Sequence, residues 1–566
     1  MLSFAACGGS GGGNKGGGST TVTVSGIVSY EFVPPNLNCS GLNMDNPVTR
    51  PIRGATVQLM DDASNTEITR TVSDDAGGYS FTNIPAGTMV YVQVLAELKR
   101  LGQGLPSWDV DVRDNVDTSG TPPLLGSRPL YALTGAAFDT GTFDVTENLL
   151  AATGWVANSY SEPRAAAPFA VLDTIYSVMQ FILSVDPTAN FPALDAFWSV
   201  NNTSDIDGDI DAGELGGAFY FNNQLFFTGD ALYRTTEFDD HIVVHEWGHY
   251  FEENFSRSDS QGGTHFLGDQ LDSRLAFGEG WATALAAMAL GDPVYCSTGT
   301  PGTMDGFELN AEGGPAYSPY RGWFDEVSVL RFIYDIWDIT DEGLDTGSIG
   351  FQPIYDVMTG PQITTEAWAN VFTFATYLKA IVDQTGDDLI DSQLDEEGID
   401  ASMLNIWGDG ETNQAGATVD VLPIYIDMTA NDTVENICSN SQFDMRAEKD
   451  GNKLSEFRYI RLAVPATGEY HVTITATTVI VPDDPMNDRD QSDPDMYIYR
   501  DGVLVADLTS GVENLETTVP PEGLGPLSLV AGTYVADLRD WRYVDPERPA
   551  TYPPIVCFDV RFTPTP

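Results

Sequence analysis

The sequence predicts a multidomain protein in which a mixed α+β unit stands between two all-β sandwiches, and three observations carry that prediction. The chain has 566 residues, too many for one hydrophobic core, so three or four domains are expected. Both ends alternate apolar and polar residues with period two, as half-buried strands do. The middle instead carries apolar stripes at helical spacing. In order, residues 1–20 read as a Gly-rich tether, 21–100 as the first sandwich and 101–150 as a connector or extra sheet layer. Residues 151–430 read as the α+β unit and 440–566 as the second sandwich.

Composition narrows the class. Hydrophobic residues make up 42% and charged residues 19%, which describes a folded chain. The net charge of −57, from 26 basic and 83 acidic residues, repels phosphate backbones and argues against nucleic acid as a partner. No uninterrupted run of 18 apolar residues appears, so no membrane-spanning helix is expected. The start, Met1-Leu2-Ser3-Phe4-Ala5-Ala6-Cys7-Gly8-Gly9-Ser10, places small residues before a lone cysteine and flexible residues after it. It resembles the processing site of bacterial lipoproteins, which implies export to the cell surface or outer membrane and a lipid anchor at Cys7. The other reading is an ordinary Gly-rich tail on a secreted protein. The remaining cysteines, Cys39, Cys296, Cys438 and Cys557, allow three pairings in an oxidising compartment. Cys438 and Cys557 flank the last unit and are the preferred pair.

Within the first sandwich, Thr21-Val22-Thr23-Val24 and Val90-Tyr91-Val92-Gln93-Val94 alternate as strands. Gly77-Gly78 and Pro85-Ala86-Gly87 make tight turns between them. This order resembles the prealbumin-like sandwich of carboxypeptidase regulatory-like domains, a spacer or binding module. Phe457-Arg458-Tyr459-Ile460-Arg461-Leu462, Tyr497-Ile498-Tyr499 and Tyr534-Val535-Ala536 resemble the pre-peptidase C-terminal sandwich often attached to secreted bacterial proteases. Acids at Asp483, Asp484, Asp488, Asp490, Asp493 and Asp495 either bind calcium or keep a loop soluble. In the α+β unit, Pro163 to Leu183 reads as a helix with Leu172, Ile175, Met179 and Ile182 on one face. Phe191 to Trp198 follows as a strand. Thr203 to Glu214 lies on a twelve-residue EF-hand pattern, with Asp205, Asp207, Asp209, Asp211 and Glu214 as acids and Gly208 at the sharp turn. Thr203 stands where an Asp is wanted, so a calcium turn and a plain acidic turn both remain open.

The chemistry concentrates in His245-Glu246-Trp247-Gly248-His249, an H-E-x-x-H pattern. Residues four apart share a helix face, so both imidazoles can hold one Zn²⁺ with Glu246 beside them to move a proton. Glu279 offers a third, oxygen ligand and leaves the fourth position for water. The chain has only 5 His, and by composition such a pattern arises by chance at about half a per cent. Phe238, Ile242, Val243, Val244, Trp247, Tyr250, Phe251 and Phe255 cover most of the helix surface. The helix is therefore expected to be buried, and polar groups in it need a partner such as a metal. His241, one turn earlier, reads as a supporting residue or a half-exposed surface histidine.

His245-Glu246-Trp247-Gly248-His249 followed by Gly278-Glu279-Gly280-Trp281-Ala282 resembles the gluzincin metallopeptidases, thermolysin-like and especially fungalysin-like. The resemblance implies an α+β zincin catalytic domain flanked by two all-β sandwich domains, with zinc on His245, His249 and Glu279 and with Glu246 as general base and later acid. It also implies that Gly217 to Asn223 is the substrate-binding edge strand, presenting Ala218, Phe219, Tyr220 and Phe221. The family places an Asp four residues past the zinc glutamate to orient the first histidine, and here Thr283 stands there. For the donor to the developing oxyanion, Tyr320 and His265 are both candidates. The expected activity is that of an exported zinc endopeptidase acting on peptide or protein substrates. The rivals are a surface binding or adhesion protein with a vestigial zinc site, and a zinc hydrolase of non-peptide amides.

Overall fold

The structure is a computed structural model that describes residues 20–205, 208–313, 320–340, 347–417, 421–444, 449–478, 491–520, 523 and 525–565. Cys7, Asp207, Asp483, Asp484, Asp488 and Asp490 lie outside the described residues. The chain is multidomain and rich in sheet, with seven α-helices among the described residues.

The long N-terminal strand Thr21–Phe32 pairs antiparallel with Gly78–Pro85 and Val48–Pro51, and parallel with Val145–Thr146 and Leu149–Ala151. A second sheet runs through Thr66–Val72, Ala55–Asp61, Met89–Arg100, Trp108–Arg113, Leu194–Trp198, Gln224–Phe227 and Phe219–Phe221. Residues 101–150 thus contribute strands to both sheets. Trp108–Arg113 pairs parallel with Leu194–Trp198, so hydrogen bonding passes unbroken from the N-terminal strands into the central unit. The last strand, Phe219–Phe221, pairs antiparallel with Gln224–Phe227 and stands at the sheet edge.

The helices are α1 Ala166–Leu183, α2 Asp240–Phe255, α3 Ser273–Leu290, α4 Glu326–Trp337, α5 Phe351–Met358, α6 Val371–Lys379 and α7 Gln384–Glu396. Pro168 sits in the first turn of α1, where a missing N–H costs nothing. Leu172, Ile175, Met179 and Ile182 of its apolar face are all buried. α1 is long and apolar enough by composition to cross a membrane, yet 72% of it is buried inside the fold, which makes it a core helix. One apolar core runs from Val24 and Tyr30 through α1, α2 and α3 to Phe374 of α6.

The C-terminal strands form two five-stranded sheets around a second core that includes Ile460, Leu462, Val472, Ile498, Phe558 and Phe562. Cys438 and Cys557 face each other across neighbouring strands of one of these sheets and are joined by a disulfide, the pairing preferred from sequence. Cys39 is bonded to Cys296. This second bridge ties the N-terminal segment to the hairpin Val294–Thr298 and Gly306–Asn310 that follows α3.

Candidate metal centre

α2 and α3 bring the motif residues together because two glycines allow close approach. A Cβ on Gly248 would stand 2.8 Å from the Ala282 backbone, and one on Gly280 would stand 2.6 Å from Val329 of α4. Either distance is well inside van der Waals contact, so a larger residue would force the helices apart. Asp272 starts α3 by accepting a hydrogen bond from the Arg274 N–H, and Gly291 in the left-handed region ends it.

On the facing sides of these helices, His245 Nε2 lies 3.1 Å and His249 Nε2 lies 3.6 Å from Glu279 Oε2. The three ligand atoms fall within 4.8 Å of one another. Tetrahedral zinc with bonds near 2.0–2.1 Å separates its ligand atoms by about 3.3 Å, so the donor types and their spacing both fit this ion. His245 Nδ1 lies 2.9 Å from Thr283 Oγ1, and the tautomer whose Nδ1–H donates to that hydroxyl leaves Nε2 free to ligate. A hydroxyl is thus placed to orient the ring. His249 Nδ1 faces the buried Glu252 carboxylate at 3.5 Å. Thr283→Val keeps the volume of the side chain but removes the hydroxyl acceptor. Zinc affinity measured by chelator competition should fall by roughly 10-fold, and an unchanged affinity would show that the hydroxyl orients nothing.

Charges in the site are strongly coupled. Burial opposes the charge on Glu279, but His265 and His249 outweigh it and hold the carboxyl well below its usual range. Burial likewise opposes protonation of His249, and Glu279 overcomes it. Glu246 is raised chiefly by burial, and Glu326 is pushed up to about 7 by the same cause.

His265 belongs to this cluster. Its Nε2 lies 3.3 Å from Glu279 Oε2 and 3.6 Å from Glu326 Oε2, and its Nδ1 contacts the Gly263 carbonyl at 3.1 Å. Tyr320 does not join the cluster. It is 43% exposed, packs over Gly416 and lines neither cleft described below. His241 is 6% exposed and contacts the Asp292 carbonyl through Nε2 at 3.0 Å. The half-exposed reading fails because α2 is buried on that face as well.

Two openings meet at the cluster. A cleft of about 1050 Å³ is lined by Ala218, Phe219, Tyr220 and Phe221 on one side and by His245, Glu246 and His249 on the other. A more apolar cavity of about 460 Å³ is lined by Phe266, Leu267, Tyr295, Phe307 and Leu309. Glu252, Tyr295 and Glu326 are additions that the sequence motifs do not point to. Glu252 follows His249 by three residues, a helical spacing that does put it on the histidine's face. Nothing local links Tyr295 or Glu326 to the motif.

The acidic turn is organised by internal contacts. Asp209 Oδ1 accepts from the Asp211 and Ala212 N–H groups, and Asp211 pairs with Arg128. Among the described residues, Asp205, Asp209, Asp211 and Glu214 supply no set of three ligand atoms within 4.8 Å. In the C-terminal sandwich Asp495 lies 3.4 Å from Arg539, and neither Asp493 nor Asp495 joins such a set among the described residues.

No protein-family model matches the chain, and no curated protein matches it. Among solved structures it is similar to the pre-peptidase C-terminal domain of a collagenase from Bacillus anthracis, at 6% identity and a TM-score of 0.15. That match covers 24% of this chain and 93% of the other. It is also similar to a 9R-lipoxygenase from Cyanothece PCC8801, at 10% identity and a TM-score of 0.14, covering 32% of this chain and 27% of the other. Scores this low decide nothing about activity.

Proposed function

We propose that this chain is an exported zinc-dependent endopeptidase whose α2–α3 unit belongs to an α+β zincin catalytic domain. The observation that carries the reading is the convergence of His245, His249 and Glu279, with Glu246 beside them in a cleft bordered by an edge strand. His245, His249 and Glu279 would hold Zn²⁺. When bound there, the ion supplies Lewis acidity toward a carbonyl and acidifies water.

The chain's own groups do the rest. Glu246 accepts the proton of the attacking water and returns it to the leaving amine. The free side of Phe219–Phe221 offers main-chain hydrogen bonds to an extended peptide. The apolar cavity takes a large apolar side chain next to the scissile bond. His265, at the junction of the two openings, donates to the oxygen on which charge develops. Two disulfides suit an oxidising compartment and so support export.

The test pairs metal analysis with a mixed-peptide digest. The protein should hold one tightly bound zinc and cleave peptides, and a chelator should abolish cleavage until zinc is restored. Glu279→Ala should lose zinc and activity together. Zinc binding without cleavage of any peptide would sink the peptidase reading, and an absence of zinc would favour the surface-binding one.

A further inference from the structure

We propose that His265, Glu279 and Glu326 form a second divalent-cation site that shares Glu279 with the first. The proposal rests on the peptidase reading only in taking Glu279 as a ligand of the first ion.

The three ligand atoms lie within 4.8 Å of one another, as those of the first group do. His265 is also arranged like a ligand. Its Nδ1 sits at the Gly263 carbonyl, so Nδ1–H donates there and Nε2 points at the two carboxylates. A ligating histidine typically has its second nitrogen held in this way. His245 shows the same pattern with Thr283.

Two carboxyl groups facing one Nε2 make a place where positive charge is favoured. Nε2 stands 3.3 Å from Glu279 and 3.6 Å from the buried Glu326 carboxyl, both longer than a usual N–H···O hydrogen bond, so a proton on Nε2 serves neither well. A cation with bonds near 2.0–2.2 Å can satisfy all three donors at once. α4 fixes Glu326 at its first residue, because Asp325 caps the helix by accepting from the Ser328 N–H. One imidazole with two carboxylates suits zinc better than calcium or magnesium, which prefer all-oxygen shells. Paired ions joined by a shared ligand typically stand about 3.5–4 Å apart.

The second site is the weaker of the two, since Glu279 already serves the first ion. Its filling also takes His265 away from the substrate oxygen. Zinc beyond the first equivalent should therefore inhibit.

Titrating zinc into the chelator-stripped full chain, with bound metal read by elemental analysis and calorimetry, tests the proposal. The parent should bind two zinc ions, one tightly and one at higher free zinc, with peptide cleavage rising and then falling. Glu326→Gln and His265→Ala should keep the tight ion and weaken the second by at least ~10-fold. Glu326→Gln is nearly isosteric, so it remains informative if the histidine variant folds poorly. A parent that saturates at one zinc while cleaving peptides overturns the second site and leaves the peptidase reading standing. A parent that binds no zinc overturns both. Two ions retained in Glu326→Gln, or activation by the second ion, also overturn the proposal.

Discussion

Glu246→Gln should lower kcat for peptide cleavage by ~10²–10⁴-fold while zinc content, fold and KM stay close to those of the parent. The separation of effects follows from position. The zinc-type group comprises His245, His249 and Glu279, and Glu246 is not part of it. Glu246 lines the cleft that the edge strand borders, where the attacking water and the substrate carbonyl would meet. It is buried, at 7% exposure, so glutamine, with nearly the same shape, opens no cavity. Burial raises the carboxyl from its ordinary value, and His245 and His249 pull it back. That balance suits a group that must both accept and return a proton. Glutamine can do neither. Elemental analysis alongside steady-state kinetics checks the prediction, and full activity at full zinc occupancy would remove Glu246 from the mechanism.

The parts of this arrangement that are legible in the sequence share one property, which is local periodicity. The i, i+4 spacing of His245 and His249, the apolar wrap of α2 and the stop at Gly291 all lie within a few turns of helix. Glu279 is legible only through its flanking glycines, and Gly280 turns out to be where α4 packs against α3. Residues 101–150 are opaque because Phe138–Asp139, Val145–Thr146 and Leu149–Ala151 are strands of two or three residues. Those after Phe138–Asp139 pair with Thr21–Phe32, more than a hundred positions away, so no local pattern marks them. Tyr320 and His265 cannot be separated by sequence for the same reason. Which of them reaches Glu279 depends on the long segments between helices, and spacing carries no information about those. Reading the N-terminal strands as a separate sandwich also misses that they share a sheet with the central unit. A pairing between Trp108–Arg113 and Leu194–Trp198 leaves no trace in either segment alone.

Arg274→Met should destabilise the junction between the helical unit and the C-terminal sandwich by ~3–5 kcal/mol, the range for breaking one partner out of a buried ion pair. Arg274 stands in the first turn of α3, five residues before Glu279. Its side chain is 5% exposed, with Nε at 3.0 Å from Asp272 and Nη1 at 2.7 Å from Asp537. Asp537 belongs to the C-terminal strand Gly532–Asp540. Tyr459, from the neighbouring strand, donates its hydroxyl to Asp272 at 2.5 Å. One guanidinium therefore holds the N-cap of the helix that carries Glu279 against the second sandwich. Methionine fills much of the space but leaves two buried carboxylates without their cation. Burial pushes Asp537 up to about 6, so Arg274→Met combined with Asp537→Asn should recover part of the loss. Because the chain has more than one core, the readout should be local as well as global. Thermal melting should be followed by limited proteolysis of the 257–272 segment, whose backbone is held by Asp450, Asn452 and Lys453. The single variant should melt earlier and be cut faster there, and zinc should protect it, because an ion bound only by the folded site stabilises that fold. If Arg274→Met melts and resists proteolysis like the parent, the C-terminal sandwich is not what holds the helix carrying Glu279 in place.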